Sequence, residues 1–185
     1  MNNQLISVTN KDHLPEEYRH TPIGLLFDYH NFNMPFKEYF HAKLLIGTCM
    51  DNRIHLRLPE NFAYVLRSGG ANLQFHDFHI SFAIAVGGVK AISLITHNQC
   101  GMVDLSSKKT EFVNGLVANV GMDPESAEDH FNKSETINEI GSEISFGLSE
   151  VIRFRKRYPN ILVAPILYRV EDQMLYLIRE ESINN

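Results

Sequence analysis

The sequence has few cysteines, no long apolar run and no large excess of charge. Its 185 residues include only two cysteines, which in a reducing compartment are free thiols, metal ligands or a redox pair. No apolar stretch approaches the roughly 20 residues of a membrane span. The first residues show no basic segment followed by an apolar one, the pattern of a secretory signal. We therefore expect a cytoplasmic protein with no membrane partner.

The charge of the sequence does not indicate a nucleic-acid partner, and its length and composition indicate a single domain. The formal net charge is −5 and the isoelectric point is about 6.0, so nothing indicates a nucleic-acid partner. The sequence contains no internal repeat, low-complexity block or flexible linker. We expect a single domain over residues 1–185, long enough to bury its own core, with a largely helical segment at residues 1–40.

The order of apolar segments predicts an α/β fold. Short apolar runs typical of buried strands are followed by segments with helical spacing or by glycine turns. Strands are expected at 42–49, 63–67, 91–96, 161–168 and 174–178. Helices are expected at 73–86, at 105–120 and from residue 123. A further long helix, opened by a capping box of Thr136 and Glu139, is expected to end at about Arg157. The pattern indicates a central, mostly parallel sheet flanked by helices, with an edge strand at the C-terminus.

Both cysteines and one histidine directly follow predicted strands. Cys49 ends the first strand, and His97 and Cys100 follow the third. If these strands are neighbours, the three side chains converge at the carboxyl ends of the sheet, where ligands bind. Thiolate and imidazole are ligands that zinc prefers, and three of them leave one coordination position open, which is typical of a catalytic site. The alternative is that these residues are two buried thiols and an ordinary loop histidine.

A carboxylate and a guanidinium lie close to the first of these residues. Asp51 and Arg53 are two positions apart, on the loop that leaves Cys49, and such a pair can form a bidentate ion pair. A carboxylate held in this way can accept a hydrogen bond from a metal-bound water. Without the neighbouring cysteine, an exposed ion pair of little energetic value would be the simpler interpretation.

Together these motifs resemble the beta-carbonic anhydrase family. The resemblance is carried by Cys49-x-Asp51-x-Arg53, by the segment Arg67-Ser68-Gly69-Gly70-Ala71-Asn72, and by His97-x-x-Cys100-Gly101, in that order. It is strongest over residues 43–102 and extends more weakly through the last helix and the closing strands. The pair of motifs is specific, whereas either half alone is weak.

The resemblance implies a function and a role for each residue. Cys49, His97 and Cys100 are expected to bind Zn²⁺, Asp51 and Arg53 to form a catalytic dyad, and Gly70 to line the site through its backbone. The reaction implied is the reversible hydration of carbon dioxide to bicarbonate. Members of the family are dimers or larger assemblies with an N-terminal arm that reaches the partner, so we expect a homodimer or higher homo-oligomer with residues 1–40 as that arm. The aromatic segment around Phe32 to Phe40 is the candidate for the contact, and its alternative is packing within the chain.

The sequence also departs from the family pattern around the substrate. Met50 and Asn52 stand where serines are usual, and Phe82 replaces a tyrosine on the helix after the glycine turn. We expect Phe82 to contribute to an apolar wall that binds the substrate. Such a wall suits carbon dioxide, but it also suits carbon disulfide or carbonyl sulfide, which some relatives hydrolyse.

The sequence is also consistent with two other classes of function. One is a zinc-binding regulatory protein that retains the fold without turnover. The other is a metal-free enzyme with Cys49 or Cys100 as nucleophile.

Overall fold

The computed structural model describes residues 4–180. The ends of the expected domain, residues 1–3 and 181–185, lie outside this range. In chain order the elements are β1 (Leu5–Ser7), α1 (Glu16–Arg19), α2 (Pro22–His30), β2 (Leu44–Cys49), β3 (Ala63–Ser68), α3 (Asp77–Ala85), β4 (Ala91–His97), α4 (Lys109–Val120), α5 (Pro124–Asn138), α6 (Glu143–Arg157), β5 (Leu162–Arg169) and β6 (Met174–Ile178). In the part of the chain that the structure describes, no helix combines the length and apolar character needed to cross a membrane.

The strands form one mostly parallel six-stranded sheet in the order β1-β6-β5-β4-β2-β3. The four strands β5, β4, β2 and β3 are parallel, and β6 and β1 each pair antiparallel with a neighbour. The predicted α/β class is therefore confirmed. The predicted position of the last strand is corrected, because β1 lies outside β6 and forms the edge on that side.

The two central strands are buried on both faces, as their continuous apolar sequences predicted. Every residue of β2 and of β4 is buried. Successive side chains of a strand point to opposite faces, so Leu44 and Ile46 join one core with α2, whereas Leu45 joins another with α3 and α6. Helices on both faces of a parallel sheet are the arrangement that such strands require.

The N-terminal segment packs against its own chain. Helix α2 ends at His30, and no helix follows it between residues 31 and 43. Its apolar side chains Ile23, Leu26 and Phe27 are fully buried in the core of this chain. Helix α2 is thus part of the domain itself, whereas the segment that follows it includes the exposed Phe40. Contact between an N-terminal arm over residues 1–40 and a partner stays a prediction.

The predicted capping box at Thr136 and Glu139 is wrong. Helix α5 continues through this sequence to Asn138, and α6 begins only at Glu143, with the Ser142 side chain capping it. The Glu139 carboxylate instead accepts hydrogen bonds from the backbone N–H groups of Asp104, Leu105 and Gly141. Gly141, with φ at +65°, lets the chain turn between the helices.

Gly47 lies where the central sheet has no room for a side chain. A Cβ atom at Gly47 would lie 2.4 Å from Leu73 Cδ1 and 3.2 Å from Leu94 Cδ1. We expect Gly47→Ala to lower the free energy of unfolding by about 1–3 kcal/mol because it overpacks the core. Urea denaturation provides the measurement.

Gly115 is the matched control for Gly47. It lies in α4, where the nearest atom to an added Cβ is 3.9 Å away. Gly115→Ala should raise stability by up to about 1 kcal/mol, because alanine is the better helix former. Equal stability of Gly47→Ala and the wild type would contradict the packing described for β2.

Candidate metal centre

The three predicted ligands converge at one edge of the sheet. Because β2 pairs in parallel with β4, the ends of both strands meet, with Cys49 closing β2 and His97 closing β4. The ligand atoms of Cys49, His97 and Cys100 all lie within 4.8 Å of one another, and the two sulfur atoms are 4.0 Å apart. The three residues are only 3%, 1% and 5% exposed. The donor set therefore fits a zinc ion with three protein ligands.

The orientation of the His97 ring also fits a metal. Its Nδ1 atom donates to the backbone oxygen of Asn98 at 2.9 Å, the kind of contact that fixes the tautomer of a metal-binding histidine. Its Nε2 atom is buried and has no hydrogen-bond partner among residues 4–180. A buried polar atom without a partner is costly, and a metal ion at the cluster would satisfy it.

The charges of the cluster depend on one another. A hydrogen bond from Cys100 lowers the pKa of Cys49 to about 4, and His97 acts in the same direction. The same hydrogen bond, together with burial, raises the pKa of Cys100. Burial lowers the pKa of His97, but the adjacent Cys49 sulfur and the negative charge of Asp51 outweigh it and raise that pKa overall. Because a metal binds thiolates and neutral imidazole, metal binding to this cluster would release protons.

Backbone N–H groups stabilise both sulfur atoms. Gly70 N donates to Cys49 Sγ at 3.3 Å, and Met102 N donates to Cys100 Sγ at 3.5 Å. Gly70 has φ at +63°, and a Cβ atom there would lie 2.7 Å from Ile140 Cγ2. The glycine is therefore required at this turn, and its N–H contacts the ligand sulfur.

Asp51 and Arg53 form the predicted bidentate pair. Arg53 Nε and Nη2 donate to the two carboxylate oxygens of Asp51 at 3.0 and 2.7 Å, and Arg53 N donates to Oδ1 at 2.8 Å. These hydrogen bonds lower the pKa of Asp51 to about 2. Asp51 Oδ2 lies 3.8 Å from His97 Nε2, so the carboxylate reaches the edge of the cluster while Arg53 holds it.

Several residues that support the site were not identified from the sequence. Arg67 donates to the backbone oxygens of Cys49, Asp51 and Ile54 and so holds the loop between the first ligand and the dyad. The Glu143 carboxylate accepts from Cys100 N at 3.1 Å. Arg67 belongs to one of the motifs that carry the family resemblance, but the sequence assigned it no role. No local sequence pattern pointed to Glu143, because it lies 43 residues from its partner Cys100.

The predicted wall residue Phe82 lies on a different surface. It is half-exposed on α3 and lines a depression with Tyr64, Leu66 and Phe78. A separate cavity of about 320 Å³ adjoins the ligand loops. It is lined by Met50, Gly69, Met102, Leu105, Phe112, His130, Phe131, Ser134, Glu135 and Asn138. The contribution of Phe82 to substrate binding stays a prediction.

Comparison with known proteins identifies the fold. No protein-family model and no curated protein matches the sequence. The structure is similar to beta-carbonic anhydrase isoform I from Trichomonas vaginalis, with a TM-score of 0.61 and 18% identity over 90% of this chain and 99% of that one. The chain has the fold of the beta-carbonic anhydrases.

Two further solved structures agree with this fold. A carbonic anhydrase from Streptococcus mutans matches with a TM-score of 0.58 and 17% identity, over 85% of this chain and 95% of that one. A carbon disulfide hydrolase matches with a TM-score of 0.55 and 22% identity, over 78% of this chain and 82% of that one. The fold that the sequence motifs implied is therefore confirmed.

The ligand set can be tested by metal content. We expect the wild type to hold about one zinc ion per chain and Cys100→Ser to lose it, because a neutral hydroxyl is a poor replacement for a thiolate. Elemental analysis after dialysis provides the measurement. His130→Ala, which removes an exposed histidine on α5, is the control and should keep its zinc. Stoichiometric zinc in Cys100→Ser would mean that the ligand set is wrong.

Proposed function

We propose that this chain binds one zinc ion through Cys49, His97 and Cys100 and catalyses the reversible hydration of carbon dioxide to bicarbonate. One observation carries the proposal: Asp51 lies beside the three buried donors and is held by two side-chain hydrogen bonds from Arg53. Three protein ligands leave a fourth tetrahedral position, and a carboxylate next to that position can orient a water molecule.

The metal and the dyad have different roles in this proposal. When bound, zinc lowers the pKa of a coordinated water to about 7. Asp51 has a pKa of about 2, so it is a weak base at neutral pH but a strong hydrogen-bond acceptor. It accepts a hydrogen bond from the attacking water and directs its lone pair at the substrate. Arg53 holds the carboxylate in that direction.

The surroundings of the site suit a small apolar substrate. The cavity beside the ligand loops is lined largely by apolar side chains, among them Met50, Met102, Leu105, Phe112 and Phe131. Such a wall admits carbon dioxide without binding it tightly. The same wall favours a second candidate activity, hydrolysis of carbon disulfide or carbonyl sulfide, because these molecules are also small, linear and apolar.

Burial argues against the thiol-dependent alternative. A cysteine nucleophile has to meet its substrate, but Cys49 and Cys100 are almost fully buried. Both sulfur atoms also accept backbone hydrogen bonds, as metal-binding thiolates do.

Asp51→Asn tests the dyad. An amide cannot accept the hydrogen bonds of Arg53 and the water as a carboxylate does, so we expect carbon dioxide hydration to fall by about 10–100-fold while zinc content stays the same. Stopped-flow hydration with a pH indicator, combined with metal analysis, provides the measurement. Asp129→Asn, on the exposed surface of α5, is the control and should keep full activity.

The outcomes separate the candidate functions. Full activity of Asp51→Asn would remove the dyad from the mechanism. A zinc-loaded wild type without carbon dioxide hydration, but with activity on carbon disulfide or carbonyl sulfide, would select the second candidate. Zinc without turnover on any of the three substrates would indicate a regulatory protein.

We further propose that the protein is a homodimer or a higher homo-oligomer. Exposed apolar side chains surround the edge strand β3 and helix α3; we call this set the aromatic face, and its members are Phe40, Tyr64, Val65, Phe75, Phe78, Phe82 and Val86. Tyr64 lines two depressions, one with Phe40 and Val86 and the other with Phe78 and Phe82, so these five side chains form a continuous surface. Exposed apolar surfaces of this kind mark protein interfaces, and an open edge strand can pair with a second copy.

A charge in the aromatic face should disrupt the assembly. We expect the wild type to elute as a dimer or larger species and Phe78→Glu to shift it to the monomer, measured by size-exclusion chromatography with light scattering. Ile152→Glu is the control, because Ile152 is also apolar and exposed but lies on α6. A monomeric wild type would contradict the proposal.

A further inference from the structure

The residues between the ligands His97 and Cys100 are held by a carboxylate from a distant part of the chain. Glu171 lies in the turn between β5 and β6. Both its oxygens accept from Asn98 Nδ2 at 2.8 Å, and its Oε1 accepts from Gln99 Nε2 at 2.6 Å. The neighbouring Val170 N donates to Asn98 Oδ1 at 2.8 Å. The hairpin turn therefore fixes both residues that separate the two ligands.

Gln99 connects this turn to the dyad. Its backbone oxygen accepts from Arg53 Nη2 at 3.0 Å, and its side-chain Oε1 lies 3.4 Å from Arg53 Nη1. Its φ is +57°, a left-handed conformation that is unfavourable for residues other than glycine and needs support from its surroundings. Glu171 supplies that support through the Gln99 side chain.

The contacts of Glu171 are not those of an ordinary surface ion pair. Within residues 4–180 Glu171 forms no salt bridge, and Arg169 of the same hairpin pairs with Asp172 instead. In the described part of the chain, the side-chain amides of Asn98 and Gln99 donate to this exposed carboxylate. The hydrogen bonds of Glu171 thus connect it to the two residues between His97 and Cys100.

We propose that Glu171 is a positioning residue that fixes Gln99, and through Gln99 the guanidinium of Arg53, so that Asp51 stays beside the open metal position instead of blocking it. Gln99 then presents two oxygen atoms to the guanidinium on the side away from Asp51. This role rests on the proposed metal site. It gives the turn between β5 and β6 control over whether a small molecule reaches the metal.

The test uses the affinity of the metal for an added anion, which does not depend on turnover. Cobalt(II) replaces zinc in the full-length protein, and thiocyanate is titrated while the visible absorption of the cobalt is recorded. We expect Glu171→Ala to weaken thiocyanate binding by at least about tenfold, as loss of an outer-shell partner does. Glu171→Gln, which keeps one acceptor oxygen, should show a smaller loss. Asp172→Ala, the next residue in the turn, should bind as the wild type does.

A double-mutant cycle separates positioning from a general loss of structure. If Glu171 acts through Gln99, Glu171→Ala should have less than about a twofold effect in a Gln99→Ala background. Wild-type affinity in Glu171→Ala, or a full additional loss in the double variant, would overturn the proposal.

The outcomes also distinguish this inference from the proposed activity. A wild type that binds cobalt and thiocyanate but does not hydrate carbon dioxide would refute the activity and leave Glu171 to be judged by the titration alone. A wild type that takes up no cobalt would overturn the metal site and the role of Glu171 with it.

Discussion

The parallel pairing of β2 with β4 is the interaction on which the rest of the site depends. The register places Thr48 opposite Ile95, so Cys49, one residue further along β2, and His97, two residues further along β4, emerge at the same end of the sheet. Both strands are buried on both faces, and a shift by one residue would turn every side chain to the other core. The packing of two apolar cores therefore fixes the positions of the sulfur and imidazole donors, which lie within 4.8 Å of one another.

Charged side chains at this end of the sheet hold the loops that follow Cys49 and His97. Two thiolates would neutralise a zinc ion, and the carboxylates around them are each used: Asp51 pairs with Arg53, whereas Glu143 and Glu171 accept N–H groups. The positively charged Arg67 donates hydrogen bonds to the backbone oxygens of Cys49 and Asp51 in the first ligand loop. Every loop that leaves a ligand is thus tied to a different element of the fold, and such outer contacts orient the groups that bind a metal.

Local patterns predicted the strands and the ligands, but not the contacts between distant residues. The apolar runs before Cys49 and His97 identified the buried strands, and the motif spacing identified the dyad. Thr136 and Glu139 matched a capping box, yet Gly141 and Ser142 provided a stronger break and cap, so the helix began later. Strand β1, with three residues, is too short to show a periodic pattern. Glu171 lies more than 70 residues from its partners, and no local rule connects them.

Burial favours metal binding over nucleophilic attack as the chemical use of these two cysteines. Hydrogen bonding within the cluster lowers the pKa of Cys49, and a thiolate is equally suited to bind a metal or to attack a substrate. A nucleophile needs access, whereas a ligand needs convergence with other donors, and the cluster provides convergence with almost no access. The Asp51 side chain beside the cluster is 16% exposed and is held in place by Arg53. A metal ion bound at the cluster would have its open coordination position next to that carboxylate, where a small molecule can be activated.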